Sequence, residues 1–379
     1  MMIYTIIVLL LTVCYTLLFI FYLAGWLLLP EYTPGDVSGH TTVSIVLAAR
    51  NEEQNIGRLL GDLTSQDYPS ALTNIVVADD CSTDKTAEIV SSFQSKGVKL
   101  IRMQELFSNE EHQPAYKKKA LQTGIAATTG ELIITTDADC SMDAGWLTAI
   151  VSFYEKQRCN MIVSPVTYSG ERSFFELFQS LDFMGMIGIT GGTLQFNFPV
   201  MCNGANLAFR RLAFDQVNGY EGISQIASGD DVLLMLKIAA KWKGTVHFMK
   251  CHEAVVRTSA QKTWSAFVQQ RIRWASKSRY YSDWRITANL ALVYLFNFSI
   301  LTTALYCLFS NSYFYLLLFQ LLLKMIAEFG FFAAVTAFFR RRSLLWMFLP
   351  AQMMHIIYIV LIGALGNLVS TLWKGRKIK

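Results

Sequence analysis

Residues 42–52 have the sequence TVSIVLAARNE, and this stretch decides the fold. Its first seven residues are rich in β-branched and apolar side chains, which is typical of a strand buried on both faces. The polar residues that follow end the strand, and residues 53–66 have the spacing of a helix. A buried strand that leads directly into a helix is the repeating unit of α/β folds.

The same unit recurs along the chain. Further strand candidates are NIVVA at 74–78, VKLIR at 98–102 and ELIITT at 131–136, and a helical segment at 118–127 precedes the last of them. Strands that alternate with helices at this spacing predict a mostly parallel sheet with helices on both faces. Ligands of such sheets bind where the strands end, so the polar residues that follow these strands form the candidate site.

Asp137 and Asp139 stand where the fourth strand ends. Two carboxylates two residues apart can reach one hard cation, and Mg²⁺ or Mn²⁺ fills its other positions with water and phosphate oxygens. An Asp-x-Asp occurs by chance about 0.5 times in a chain of this composition, so only its position gives the pair weight. The alternative is a turn with solvent-facing aspartates. Because other polar strand ends lie beside it, we predict a metal site here.

Three further positions extend the predicted site. Asp80 closes the neighbouring strand, where a carboxylate either binds a base N–H or ribose hydroxyl or caps the next helix. Lys117 opens a run of three lysines that either places an ammonium against a diphosphate or is a solvated basic turn. Asp230 and Asp231 precede an apolar helix, where a carboxylate is favoured electrostatically. A carboxylate of this pair is also the candidate general base for transfer to a hydroxyl acceptor.

Residues 270–274 have the sequence QRIRW. Residue frequencies predict Gln-x-x-Arg-Trp only about 0.01 to 0.02 times in this chain, so the match is more specific than Asp-x-Asp. A guanidinium can clamp a diphosphate with two hydrogen bonds, and an indole face can pack against a sugar ring. The alternative is an amphipathic helix at a membrane surface, because basic and aromatic residues interleave between 262 and 284. One helix can serve both purposes.

The chain is too apolar for a soluble protein of 379 residues, with 53% hydrophobic and 16% charged residues and a mean hydropathy of +0.34. We predict four membrane spans, at 3–29, 287–309, 313–339 and 344–370. The first span lacks a basic start and a clear cleavage site, so we expect an uncleaved anchor rather than a signal peptide.

These features predict five segments. They are an N-terminal anchor at 1–30, an α/β domain at 31–260, an interfacial amphipathic helix at 261–285, three C-terminal spans within 286–373 and a basic tail at 374–379. The positive-inside rule places the basic loop at 340–342 in the cytosol, and the α/β domain with it, because two spans separate them. The basic tail then lies outside, so either the last segment does not cross fully or the tail breaks the rule.

The net charge does not indicate a nucleic-acid partner, and the cysteine spacing does not indicate disulfide bonds. Much of the net charge of +5 comes from residues 340–342 and 374–379, which flank apolar segments, so it does not indicate nucleic-acid binding. The seven cysteines show neither metal-ligand nor paired spacing. We therefore expect reduced thiols.

Several motifs together resemble the family 2 glycosyltransferases, in the same order along the chain. They are VSIVLAARNEE at 43–53, ADDCSTD at 78–84, TTDADC at 135–140, NGANLAFRRLAFDQVNGY at 203–220, SGDD at 228–231 and QRIRW at 270–274. The resemblance implies a GT-A fold, which is Rossmann-like with a mostly parallel sheet. Together with the predicted spans and topology, it gives a cytosolic GT-A domain with transmembrane helices at both ends. It also implies an inverting, single-displacement mechanism and a divalent cation, Mg²⁺ or Mn²⁺.

The resemblance assigns roles by position. Ala48 and Asn51 would contact the nucleotide, and Asp80 would contact its base. Asp137 and Asp139 would bind the diphosphate and the metal, and Asp231 would be the general base. The remaining residues would close over diphosphate and acceptor: Gln270, Arg273 and Trp274. The usual Glu-Asp of the family is Asp230-Asp231 here. Its glycine-rich lysine segment is replaced by residues 116–119, YKKK, which leaves open which lysine acts, with Lys117 as the candidate.

Gln-x-x-Arg-Trp with trailing spans is similar to cellulose, hyaluronan and poly-N-acetylglucosamine synthases, and to ceramide glucosyltransferases. The expected activity is metal-dependent transfer of a hexosyl group, with inversion, from a nucleotide sugar to a hydroxyl of a lipid or a growing glycan. The expected donor is a UDP-sugar. Four spans are few for a polymer conduit, which favours one-step transfer to a lipid. A processive synthase that exports its polymer is the alternative.

A second alternative belongs to another class. Lys324 and Glu328 lie four residues apart in an apolar span, where ionisable residues often mark a transport pathway. They support a membrane transporter with a regulatory nucleotide-binding domain. The simpler explanation is an ion pair within one helix, in which the two side chains neutralise each other's charge. An inactive homologue is disfavoured because every acidic residue of the motifs is present.

Overall fold

The computed structural model describes residues 2–106, 116–226, 228–366, 368, 371–373 and 376–378. The chain divides into two units. The helical unit comprises Met1–Leu29, Glu171–Phe196 and Ala260–Thr371, and the α/β unit comprises Pro30–Gly170, Asn197–Ser259 and Leu372–Lys379. All seven cysteines are free thiols, as expected.

The elements of the described residues have the following bounds. The α-helices are α1 (Met2–Leu28), α2 (Ile56–Thr64), α3 (Thr86–Ser92), α4 (Met103–Leu106), α5 (Tyr116–Ala126), α6 (Trp146–Gln157), α7 (Phe174–Gln195), α8 (Arg211–Gln216), α9 (Val232–Lys241), α10 (Trp264–Ala275), α11 (Trp284–Cys307), α12 (Phe314–Phe338) and α13 (Phe348–Leu365). The strands are β1 (Val43–Ala49), β2 (Thr73–Asp79), β3 (Val98–Arg102), β4 (Leu132–Thr135), β5 (Met161–Val163), β6 (Val166–Tyr168), β7 (Leu207–Arg210), β8 (Val246–Phe248), β9 (Val256–Thr258), β10 (Thr371–Trp373) and β11 (Arg376–Ile378).

A seven-stranded sheet forms the centre of the α/β unit, in the order β3-β2-β1-β4-β7-β5-β8. Only β7 runs antiparallel to its neighbours in this sheet. Val43, Ile45 and Leu47 on one face of β1 and Ser44 and Val46 on the other are all fully buried, as expected of a strand covered on both faces. The prediction of a mostly parallel α/β sheet is confirmed; the antiparallel strand and the separate parallel pair β6-β9 were not anticipated.

The register of the sheet brings three strand ends together. Ala49 of β1 lies opposite Asp79 of β2, and on the other side of β1, Val46 lies opposite Thr135 of β4. All three strands are parallel, so their carboxyl ends meet at one edge. The segments that leave this edge carry Asn51, Asp80 and Asp137.

Four segments among the described residues are long and apolar enough to cross a membrane: Met2–Leu28, Trp284–Cys307, Asn311–Phe338 and Arg342–Leu365. They agree in number and place with the four predicted spans. The last predicted span reaches 370, and its residues 367, 369 and 370 lie outside the described residues. Of the predicted basic tail, Lys374 and Lys379 also lie outside them.

The structure groups Glu171–Phe196 with the helical unit, whereas the sequence prediction included them in the segment 31–260. Here α7 packs closely against other helices of that unit. A Cβ on Gly192 would lie 2.5 Å from the carbonyl oxygen of Tyr22 in α1, and one on Gly188 would lie 2.4 Å from the side chain of Val335 in α12. Such close approach requires glycine. Hydropathy did not reveal α7, because its polar and small residues, Asp182 among them, dilute the apolar signal.

Candidate active site

The turn after β4 carries Asp137 and Asp139, as predicted. The hydroxyl of Thr258, in β9, donates to Oδ2 of Asp139 at 3.0 Å. Burial, together with the negative charges of Asp137 and Glu52, raises the pKa of Asp139 above its ordinary value. Burial and the charges of Asp139 and Asp137 raise the pKa of the Cys140 thiol as well. The turn therefore concentrates negative charge in a poorly hydrated place.

These residues suit a divalent cation. Carboxylate oxygens are the ligands that Mg²⁺ and Mn²⁺ prefer, and the excess negative charge around Asp139 is what a cation would neutralise. Within the part of the chain that the structure describes, no group of three or more His, Cys, Asp or Glu side chains is arranged to hold a metal. The donor set therefore fits a cation that Asp137 and Asp139 would hold with additional oxygens from a phosphate ligand and water.

Lys117, at the start of α5, links two acidic segments. Its Nζ donates to Oδ1 of Asp137 at 2.8 Å and lies 3.2 Å from Oδ2 of Asp230. Burial opposes the charge of this ammonium, but Asp137, Asp230 and Asp231 outweigh burial and raise the pKa of Lys117 well above its ordinary value. Lys117 is therefore a permanent cation that holds the turn after β4 to the segment before α9.

Lys118 has a different partner set, which the sequence did not indicate. Its side chain is buried, and Nζ donates to the carbonyl oxygens of Ile223 at 3.0 Å and Ser228 at 2.8 Å, and to that of Ile226. All three carbonyls belong to the segment that leads to Asp230. Neither Lys117 nor Lys118 lies in a solvated basic turn, the alternative that the run of lysines left open.

Asp231 is the N-cap of α9. Its Oδ1 accepts the N–H of Val232 at 2.7 Å, and its Oδ2 accepts the N–H of Gly204 at 3.2 Å. A Cβ on Gly204 would lie 3.4 Å from Oδ2 of Asp230, so the Asn203-Gly204 segment packs directly against the acidic pair. Each carboxylate oxygen has about two lone-pair sites, so a capping carboxylate keeps acceptor capacity for another proton.

Asn206 fixes the segment that contacts Asp231. It is fully buried; Oδ1 accepts the indole N–H of Trp146 at 3.0 Å, and Nδ2 donates to the carbonyl oxygens of Pro165 at 2.8 Å and Ala254 at 2.7 Å. Both polar ends of the amide are thus satisfied. Sequence reasoning quoted the motif NGANLAF without singling out Asn206, since nothing local marks an asparagine whose partners lie far along the chain.

The ends of β1 and β2 are held together by polar side chains. Asn51 has a left-handed φ of 51°, and its Oδ1 accepts the N–H of Thr83 at 2.9 Å. Arg50, which the sequence did not single out, donates from Nη1 to the carbonyl oxygens of Asp80 at 2.6 Å and Cys81 at 2.9 Å. Asp80 is buried. Asn51 thus has a structural partner in addition to its predicted contact with a nucleotide.

Ala48 lies beside this loop, where it packs against the buried cluster of Ala78, Met103 and Ala120. It carries no polar side-chain atom, so any contact with a nucleotide would come from its backbone or its methyl group.

Gln270, Arg273 and Trp274 lie together on α10 of the helical unit. All three are half-buried, and the indole of Trp274 packs at 6.1 Å from the ring of Phe183. In the α/β unit, the structure brings Asp137, Asp230 and Asp231 together around Lys117. The predicted site residues thus form two sets, one in each unit.

The sheet with its acidic strand ends defines a GT-A-type α/β protein. Residues 132–373, more than half of the chain, match the model of Glycosyl transferase family group 2, and residues 44–217 match that of Glycosyl transferase family 2. The chain belongs to the family 2 glycosyltransferases.

Individual proteins agree with this assignment. Glycosyltransferase AglE of Haloferax volcanii is 29% identical over 183 residues, 48% of either chain. Beta-monoglucosyldiacylglycerol synthase of Nostoc sp. is 27% identical over 272 residues, 67% of this chain and 53% of the relative. The chain thus spans about half the length of the curated relatives it matches. Mannosyltransferase PcManGT from Pyrobaculum calidifontis, solved with GDP-Man and Mn²⁺, shares the fold with a TM-score of 0.62 at 19% identity, over 96% of this chain and 98% of that one.

Proposed function

We propose that this chain is a membrane-bound glycosyltransferase that moves a hexosyl group, with inversion, from a nucleotide-sugar donor to a lipid hydroxyl. The observation that carries the proposal is the cluster of Asp137, Lys117, Asp230 and Asp231 at the strand ends of a family 2 glycosyltransferase fold. Three acidic residues from two separate motifs meet around one ammonium. Such an arrangement suits a diphosphate and a divalent cation on one side and an acceptor hydroxyl on the other.

Each of the predicted site residues then has a proposed role. Asp137 and Asp139 would hold Mg²⁺ or Mn²⁺, which neutralises charge on the leaving diphosphate. Asp231 takes the proton from the acceptor hydroxyl, the one proton transfer that a single displacement requires of the protein on the acceptor side. The resemblance assigns the remaining residues to the substrates: Ala48, Asn51 and Asp80 to the nucleotide, and Gln270, Arg273 and Trp274 to diphosphate and acceptor.

The choice of a lipid acceptor rests on two observations. Four apolar helices give the protein direct access to bilayer lipids, and the Nostoc relative bears the name of a diacylglycerol glycolipid synthase. A UDP-sugar is the proposed donor by resemblance, whereas the structure of PcManGT contains GDP-Man, so both nucleotides belong in a test. We place the α/β unit on the cytosolic face, because the basic loop at 340–342 follows the positive-inside rule.

A donor panel tests the proposal. Membranes that contain the protein are incubated with Mn²⁺ and radiolabelled UDP- and GDP-sugars and then extracted with organic solvent, with membranes lacking the protein as control. Label in the organic phase is the expected result. Label in an insoluble polymer would favour the processive synthase. Absence of protein-dependent transfer from every donor would reject the proposal.

The transporter alternative gains no support from its ionisable pair. Lys324 and Glu328, both buried in α12, contact each other, and Lys324 Nζ also lies 3.1 Å from the hydroxyl of Tyr15 in α1. Glu328 accepts hydrogen bonds from Tyr15 and, at 2.6 Å, from Gln352 in α13. These contacts join three helices and satisfy the charges internally, as expected of a polar tie within a helix bundle.

Lys117→Met should weaken catalysis through electrostatics. Without the ammonium, the carboxylates of Asp137 and Asp230 repel each other and the bound diphosphate loses a cation. We expect kcat/KM for the donor to fall about 10- to 100-fold. Initial rates across donor concentrations measure this. Lys119→Met, two residues along the same helix and also half-buried, is the matched control. Equal rates for the two variants would contradict the role of Lys117.

A further inference from the structure

A buried ion pair joins two helices of the helical unit. Nη2 of Arg271, in α10, donates to Oδ2 of Asp182, in α7, at 2.8 Å, and the two side chains are only 4% and 6% exposed. Arg271 occupies one of the two free positions of Gln-x-x-Arg-Trp, so the motif itself assigns it no role. Its partner is 89 residues away in sequence.

The same guanidinium lies against two aromatic rings of its own helix. Its Cζ is 4.7 Å from the ring centre of Phe267 and 4.4 Å from that of Trp274. Helical residues three and four positions apart share a face, which is why Arg271 reaches both rings. Trp274, the tryptophan of the motif, therefore has an arginine held against one side by an ion pair, and Phe183 packs against it as well.

A third helix completes the arrangement. The hydroxyl of Tyr358, in α13, donates to Oδ1 of Asp182 at 2.6 Å, so one carboxylate binds α10 and α13 to α7. His355, one turn earlier in α13, has its Nε2 4.0 Å from the same Oδ1. The ring of Tyr358 also packs edge-on against Phe267 at 5.5 Å. One buried carboxylate of α7 thus holds α10 through its Oδ2 and α13 through its Oδ1.

We propose that Asp182 and Arg271 are positioning residues that fix the indole of Trp274 for the acceptor. The inference rests on the proposed function, in which Trp274 contacts the acceptor. A planar guanidinium can bind a carboxylate and lie against an aromatic ring at the same time, in a geometry that the ammonium of lysine does not reproduce, so lysine is not equivalent to arginine at position 271. The carboxylate of Asp182 holds this guanidinium in place, and the hydroxyl of Tyr358 holds the carboxylate.

Two mild variants test the inference. Arg271→Lys keeps the charge but loses the guanidinium that lies against Trp274, and Tyr358→Phe keeps the ring but loses the hydroxyl that orients Asp182. We expect Arg271→Lys to lower kcat about 10- to 100-fold, and Tyr358→Phe to lower it less, because small misplacements of substrate-contacting groups cost this much. The KM for the nucleotide sugar should stay within about twofold of the wild-type value, since the displaced group serves the acceptor.

Tyr15→Phe is the matched control. Its hydroxyl also donates to a buried carboxylate of the helical unit, that of Glu328, but that carboxylate is tied to Gln352 and Lys324 and not to α10. Tyr15→Phe should lower the thermal stability about as much as Tyr358→Phe does and leave kcat unchanged. The emission spectrum of Trp274, obtained as the difference between each protein and its Trp274→Phe counterpart, should change in Arg271→Lys and Tyr358→Phe but not in Tyr15→Phe.

The outcomes separate the two proposals. A wild-type protein that transfers no sugar from any donor would reject the proposed function. An active wild-type protein whose Arg271→Lys variant has the same kcat and the same Trp274 emission would overturn the positioning role alone. An equal loss of kcat in Tyr15→Phe and Tyr358→Phe would likewise overturn it, because general loosening of the bundle would then explain the effect.

Discussion

Asp231→Asn is expected to bind the nucleotide sugar normally and to transfer it on the order of 10²- to 10⁴-fold more slowly, the contribution of a general base. Asparagine has the shape of aspartate but cannot accept the proton of the acceptor hydroxyl. Its amide oxygen can still accept the N–H of Val232, so the cap of α9 is preserved and only the longer hydrogen bond from the Gly204 N–H, at 3.2 Å, is lost. The loss should therefore fall on kcat and not on folding. Equilibrium donor binding and initial rates, measured on one preparation, test this.

A second aspartate controls for the loss of a helix cap. Asp283 is the N-cap of α11, where its carboxylate accepts the N–H of Arg285 at 2.9 Å, but it belongs to neither set of predicted site residues. Asp283→Asn should thus keep wild-type kcat. If Asp231→Asn also retained most of its turnover, another group would have to be the base and the proposed mechanism would be wrong.

Asp139→Asn should abolish metal-dependent transfer. Asp139 lies in the acidic turn where burial and neighbouring carboxylates already disfavour its charge, and a divalent cation is what would stabilise it there. Loss of a residue that only hydrogen-bonds to a metal ligand lowers metal affinity or activity about 10- to 100-fold. Loss of a direct ligand should therefore lower activity further. Treatment of the wild-type protein with a chelator should have the same effect, and added Mn²⁺ or Mg²⁺ should restore its activity but not that of the variant.

Asp62→Asn is the matched control for this turn. Oδ2 of Asp62 accepts the N–H of Met142 at 3.1 Å, three residues beyond Asp139, so the substitution alters a carboxylate that contacts the same turn without touching the acidic pair. Its activity and its dependence on Mn²⁺ should match the wild type. Chelator-resistant transfer by the wild-type protein would show that Asp137 and Asp139 serve a different purpose.

The sequence predicted the α/β sheet because a strand buried on both faces has a composition that few other elements share. The strands at 42–48, 74–78, 98–102 and 131–136 agree with β1 to β4 within about two residues at each end. β7 was not predicted, since a four-residue strand inside a motif has too little periodicity to be distinguished from a loop. The family was evident from the order of the motifs, and the comparisons confirm it.

The candidate site was less accessible to sequence reasoning. Asp137 and Asp230 come from separate motifs, and their contact with one ammonium, whose charge Asp231 also stabilises, could be seen only in the structure. Lys117 and Lys118 are identical neighbours in the sequence. Their contacts differ because successive residues of a helix point in directions about 100° apart. Lys117 therefore reaches the carboxylates, and Lys118 reaches the carbonyls of Ile223, Ile226 and Ser228.

By itself the sequence determined four of the seven strands of the central sheet, the four apolar helices and the acidic residues at the strand ends, because periodicity and composition are local properties of the chain. Only the tertiary structure decided which unit contains α7, which lysine meets Asp137, and that Arg271 is held by Asp182. Each of these three results depends on a contact with a residue far away in sequence. A pattern along a single sequence does not indicate which distant residues make contact.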